Sequence, residues 1–167
     1  MALKKMSPGM KYKLQLIIIY LSAIVFCILW LSDAIAINKR LKSDELAIQN
    51  CAGKAAGFLE TYVELGEGDS PLWQTCAEAI KEYSILLAHY TNAARMQKAF
   101  RRHNITLKEE LLDFNTLKIA QSMCDDFELM EPYTADLAEA FKLLSNDIYS
   151  ARAIEIIEKI HEETYRM

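Results

Sequence analysis

Residues 14–36 read LQLIIIYLSAIVFCILWLSDAIA, and the use made of this stretch decides the architecture of the whole chain. From Leu14 to Leu31 there are 18 residues without a charge, and Gln15, Tyr20 and Ser22 are its polar exceptions. An α-helix rises about 1.5 Å per residue, so this run covers about 27 Å, close to the roughly 30 Å hydrocarbon core of a bilayer. Ser32 to Ile37 can extend it. The side chains expected to meet lipid are Leu14, Ile17, Ile18, Ile19, Leu21, Ile24, Val25, Phe26, Ile28, Leu29 and Trp30. Tyr12, Tyr20 and Trp30 stand where interfacial aromatic residues sit. A soluble helix this apolar would need burial on every side, which a domain of this size does not offer.

The same stretch has a competing reading as a cleaved leader. A basic start, an apolar centre and Ala34-Ile35-Ala36 ahead of Ile37 form the small-x-small pattern of a signal peptidase site. Two features favour retention. The apolar run exceeds the roughly 7–15 residues usual for a leader, and the residues after Ala36 continue in helical phase instead of opening into a loop. The expected organisation is therefore a short cytoplasmic tail at 1–13, a signal-anchor transmembrane helix at 14–36, and an extracytoplasmic helical domain at 37–167. Orientation follows from the flanks. Lys4, Lys5, Lys11 and Lys13 precede the span, whereas Lys39, Arg40 and Lys42 follow it among Asp33, Asp44 and Glu45. The positive-inside rule then places the N-terminus in the cytoplasm and the domain in the periplasm or at the cell exterior.

Charge is distributed unevenly along the chain. All 23 acidic residues lie from Asp33 onward against 15 of the 19 Lys and Arg, so the downstream part carries about −8. That balance argues against a broad basic face for nucleic acid, and no nucleic-acid partner is expected. Arg95, Lys98, Arg101, Arg102 and His103 form a local basic cluster, read as a solvated helix end.

Downstream of the span the composition favours helix, with 5 Gly and 3 Pro in the whole chain. Leu41, Ile48, Cys51, Ala55, Phe58, Tyr62 and Leu65 recur at helical spacing, in phase with Ile37, up to the breaker GEGDSP. Ser70 with Pro71 reads as an N-cap followed by proline at the first helical position. Trp73, Cys76, Ile80, Tyr83, Leu87, Tyr90 and Ala94 then alternate steps of three and four, the cleanest seam in the chain. Thr106 and Glu109 fit a capping box ahead of a third stripe of Leu107, Leu111, Phe114, Leu117, Ala120, Cys124 and Phe127. After MEPYT a fourth stripe runs through Leu137, Phe141, Leu144, Ile148 and Ala151, and Ile154, Ile157 and Ile160 continue it after a drift in phase. The fold class expected is all-α: one N-terminal transmembrane helix continuing into an antiparallel bundle of about four helices.

No catalytic, cofactor or metal site is expected from these residues. His89, His103 and His161 are far apart, and Glu158 with His161 makes only half of a di-iron carboxylate pattern. Adjacent acids such as Asp125 and Asp126 point about 100° apart on a helix and share no site. No G-x-S-x-G, phosphate-cradling glycine loop or C-x-x-C pair is present. Asn104-Ile105-Thr106 is a glycosylation sequon only if the chain enters a eukaryotic secretory route. Outside the cytoplasm a disulfide could form among Cys51, Cys76 and Cys124, and spacing does not choose the pair. Leu86, Leu129, Met130 and Tyr133 fall off or at the ends of the stripes, which marks them as a candidate partner-facing patch.

The function expected is that of a non-enzymatic single-pass membrane protein. It presents a helical bundle outside the membrane for protein–protein interaction, as an accessory or assembly subunit of a cell-envelope complex. Its partners are other membrane or envelope proteins and the lipid bilayer, reached through residues 14–36. A ligand-sensing bundle that acts through a membrane partner is the second reading. A secreted helical inhibitor or immunity-type protein is the third, should cleavage follow Ala36.

Overall fold

A computed structural model describes residues 8–66, 68, 71–99 and 111–165, with the side chains of 8, 97–99 and 111–114 left undescribed. The sequence readings at Ser70, at Arg101 to His103, at the sequon and at the Thr106–Glu109 capping box lie outside the described residues. The described residues are helical and contain no strand. In order they form α1 (Pro8–Leu65), α2 (Pro71–Ala99), α3 (Leu111–Asp125), the single turn α4 (Phe127–Met130), a 3-10 turn at Glu131–Tyr133, α5 (Thr134–Asn146) and α6 (Ala151–Tyr165). The chain divides into two compact units, residues 1–40 and 41–167.

In the first unit the large apolar side chains from Ile17 to Leu31 are between 49% and 71% exposed. The most apolar 18-residue window of α1 has none of its residues buried, and α1 is long and apolar enough to cross a membrane.

The second unit is built around the seam of α2. Trp73, Cys76, Ile80, Tyr83, Leu87, Tyr90 and Ala94 are all buried, as their spacing predicts. The α1 wall facing this core departs from its predicted stripe. Ile48, Cys51, Ala55 and Tyr62 are buried, but Phe58 is 37% and Leu65 56% exposed, and Leu59, Ala52 and Ala56 take their places. Ile48, Ala52, Ala55, Leu59 and Tyr62 step by 4, 3, 4, 3 and form a buried stripe that shares only Ile48, Ala55 and Tyr62 with the predicted one. α1 ends where Gly66 adopts φ 61°, the left-handed conformation glycine tolerates, and its N–H donates to the Tyr62 carbonyl at 3.0 Å.

α3 also turns one position from its predicted stripe. Cys124 is exposed, and the buried face is Asn115, Thr116, Ile119, Ala120 and Met123. The displacement has a polar cause. Ser84 Oγ donates to Thr116 Oγ1 at 2.6 Å and lies 2.9 Å from the Ile80 carbonyl, so hydroxyls from α2 and α3 satisfy each other inside the core. A buried hydroxyl is tolerated only with such a partner, and a hydrophobic-pattern reading counts it as surface.

The predicted fourth helix is two helices. Asp147 is extended at φ −147°, and its carboxylate accepts the Tyr149 N–H at 2.9 Å. This short-range bond competes with the helical ladder. α6 therefore restarts at Ala151, which is exposed, and buries Ala153, Ile157, Ile160 and Thr164. The drift in apolar phase marks this break.

The end of the bundle beside Gly66 is closed by three rings. Tyr62 and Phe127 each lie 5.0 Å from Trp73, with Phe127 edge-on at 82°. The Trp73 indole N–H donates to the Met123 carbonyl. Halfway along, Tyr83 and Phe141 meet edge-on at 5.1 Å. Trp73→Ala should cost about 3–5 kcal/mol, the range for removing a buried large aromatic, whereas Cys124→Ala at the exposed position should change stability little. Urea unfolding of the full chain in mild detergent, followed by circular dichroism, measures both.

Candidate functional site

Three features of the described residues could carry function: the bare apolar run of the first unit, a groove on the second, and a tyrosine pair at one end of the bundle.

The groove of about 580 Å³ lies between α1 and α5 and is lined by Glu60, Val63, Glu64, Ala135, Ala138, Glu139 and Lys142. Its floor is apolar, with Val63 49% exposed, and its rim is charged. Lys142 Nζ meets Glu60 at 2.7 Å, and Arg152 meets Glu139 at 2.6 Å. The Glu60 carboxylate raises the Lys142 pKa. All four charged groups are solvated, so these pairs add little stability and mainly set the sign and spacing of charge along the rim. Sequence reasoning missed this groove because Glu60 and Lys142 stand 82 positions apart. Only the packing of α5 along α1 joins them.

The candidate patch is partly dissolved by the structure. Met130 is wholly buried, and Thr164 Oγ1 lies 4.0 Å from its sulfur. Met130 is therefore a core residue and leaves the patch. Its position at the end of a single helical turn, capped by the Asp126 carboxylate on the Leu129 N–H at 3.1 Å, turns it inward. Leu86 and Tyr133 are half-buried against the core, and Leu129 is half-buried.

Cys51 and Cys76 are buried free thiols, while Cys27 and Cys124 are exposed. Cys51 Sγ lies 3.8 Å from the Ala79 carbonyl. Burial pushes both core thiols up to about 11, with Glu82 adding repulsion at Cys51, so neither presents a reactive thiolate near neutral pH. Among the described residues no group of three or more His, Cys, Asp or Glu could hold a metal ion. His89 is exposed on α2. His161 is half-buried and stacks 4.8 Å from Tyr165, and burial together with Lys118 lowers its pKa.

Tyr90 and Tyr149 meet hydroxyl to hydroxyl at 2.9 Å, joining α2 to the turn before α6. Both pKa values are raised, chiefly by burial, with Glu45 adding repulsion. Compared with protein-family models, with curated proteins and with solved structures, the chain matches none.

Two outcomes follow from this chemistry. In the native chain a maleimide reagent at neutral pH should modify Cys124 and spare Cys51 and Cys76 until denaturant is added. Peptide mass mapping reads the difference, and equal labelling of all three would contradict the burial. Because the folded state holds the Tyr90 and Tyr149 protons more tightly than the unfolded chain, whose tyrosines release theirs near 10.0, stability should be level below that pH and fall above it. Urea midpoints measured from about pH 8 to 11 should show this decline, with a shallower slope in Tyr149→Phe.

Proposed function

We propose that the chain is a non-enzymatic single-pass membrane protein. Residues 14–36 stay in the bilayer, the N-terminus faces the cytoplasm, and the bundle is held in the periplasm or at the cell exterior. There it binds other membrane or envelope proteins as an accessory or assembly subunit of a cell-envelope complex.

One observation carries the reading: α1 runs from Pro8 to Leu65, so the exposed apolar run and one wall of the bundle core belong to the same helix. The Ala36–Ile37 bond lies inside that helix. A peptidase that cleaves an extended backbone would first have to break helical hydrogen bonds on both sides of it, which favours retention over release. The apolar side chains of the run would be costly to leave in water, at roughly 25 cal/mol for each Å². A bilayer removes that cost without requiring a larger protein core.

The bundle offers a partner two kinds of surface. The groove between α1 and α5 combines an apolar floor at Val63 with a charged rim. Leu129 and Tyr133 add half-buried apolar edges near the α4–α5 connection. An interface built there would bury these side chains at its centre and leave the charges at its margin.

The test is native co-purification from detergent-solubilised membranes, together with the intact mass of the membrane-bound chain. The expected mass retains residues 1–36, and at least one other membrane or envelope protein should co-purify. Val63→Glu or Leu129→Glu should reduce that co-purification while the helical content stays unchanged. An N-terminus at Ile37 would remove the anchor, and a chain that purifies alone would remove the assembly role. Membrane-impermeant maleimide applied to intact cells should reach Cys124, and protection of that thiol would reverse the orientation.

A further inference from the structure

The groove beside Val63 is framed by two helices that run antiparallel. Gln49 Nε2 donates to the Asn146 carbonyl at 3.1 Å, and further along α1 Glu60 meets Lys142. The helices touch near Gly53, where a Cβ would sit 3.6 Å from the Ser145 Cβ. One turn on, Gly57 is exposed, and a Cβ there would meet nothing within 4 Å. Beyond it the groove lies between Val63 and Glu64 on one side and Ala135 and Ala138 on the other. Positions 53, 57, 60 and 64 fall within about 60° of one another around an α-helix. Gly57 therefore shares a face of α1 with the lining carboxylates of Glu60 and Glu64.

A glycine inside a helix destabilises it relative to alanine, because it loses more backbone freedom on folding. Packing accounts for Gly53, whereas nothing within the chain crowds Gly57. A position without a Cβ is suited to the close approach of another chain. Charge adds a second constraint. The groove and its margin on α5 carry Glu60, Glu64, Asp136, Glu139 and Lys142, and Arg152 reaches in from α6. Lys54 is about 120° round α1 from Glu60 and outside the lining. Both bases are already engaged, Lys142 with Glu60 and Arg152 with Glu139. Glu64 and Asp136 are exposed, and among the described residues neither makes an ion pair.

We infer that the α1–α5 groove takes a helix of another protein, with lysine or arginine along its flank and an aliphatic face turned into the groove. The inference rests on the reading of the bundle as a protein-binding module and names the chemistry of what it binds. The aliphatic face covers Val63, Ala135 and Ala138, the cations meet Glu64 and Asp136, and the backbones come closest at Gly57. Both walls are helices whose backbone groups are bonded internally, so an extended segment would find no strand edge to pair with. An acidic or neutral helix would cover two carboxylates without supplying a counter-charge, which opposes docking.

The experiment displays random peptides, each about four helical turns long, to the full chain in mild detergent, with Val63→Glu as the counter-selection. Fluorescence anisotropy then compares the selected peptides on the native chain and on Glu64→Lys, Asp136→Lys and Gly57→Ala, while circular dichroism and urea midpoints check folding. The enriched peptides should be cationic, with aliphatic residues at helical spacing. Each charge reversal should weaken binding about fivefold, the upper end for an exposed ion pair, and high salt should weaken it as well. Gly57→Ala should raise the urea midpoint and still bind less. Enrichment of acidic or neutral peptides overturns the inference, as does no enrichment over Val63→Glu. Binding that ignores the charge reversals or Gly57→Ala overturns it too. A partner that co-purifies with the native chain alongside any of these failures leaves the protein-binding reading standing and removes only the groove's assignment. A native chain that purifies alone removes the reading itself.

Discussion

Trp73 is the contact through which the bundle is joined. It stands in the first turn of α2, its ring packs against both Tyr62 of α1 and Phe127 of α4, and its indole N–H reaches the Met123 carbonyl at the end of α3. Four helices are therefore tied by one side chain with a large apolar face and a single polar atom, and that atom is satisfied. A buried aromatic with an unmet N–H would cost most of what its ring contributes. Its carbonyl acceptor is available because it lies in the last turn of α3, where helical carbonyls have no partner within the helix. The seam from Cys76 to Ala94 follows from that anchoring, since it fixes which face of α2 turns inward.

Along the seam, burial is achieved with both apolar and polar side chains. Tyr83 packs edge-on against Phe141 of α5, and one position later Ser84 bonds to Thr116 of α3. Such a pair specifies the partner helix and its height more sharply than two alanines would, because a shift of one turn would break the bond between them. The Tyr90–Tyr149 bond does the same at the far end, where it holds the turn before α6 against α2. The charged pairs of the groove rim are solvated and add little to folding.

α1 carries two kinds of surface along its length. Its first part presents apolar side chains in all directions, while beyond Leu41 it presents one apolar face to the core and the rest to water. Both parts were legible in the residues, since an uncharged run and a periodic run differ in pattern. The seven apolar seam positions on α2 were legible, because their three-four spacing keeps them on one face, whereas the buried hydroxyls of Ser84 and Thr91 beside them were not. Cys124 and Phe58 were misplaced for different reasons. The face of α3 includes the polar Asn115 and Thr116, the latter bonded to Ser84, and the face of α1 takes Leu59 in place of Phe58. The break at Asp147 was visible only as a drift, because an Asp that bonds to a following N–H looks, in a one-dimensional pattern, like any exposed acid.

The order of amino acids by itself determined the helical class, the membrane-length run and the principal seam, because each is a matter of local spacing and hydrophobicity. The groove beside Val63, the burial of Met130 and the height at which Tyr90 meets Tyr149 were decided only by the tertiary structure. Each depends on side chains tens of residues apart, and no local period records which helices become neighbours.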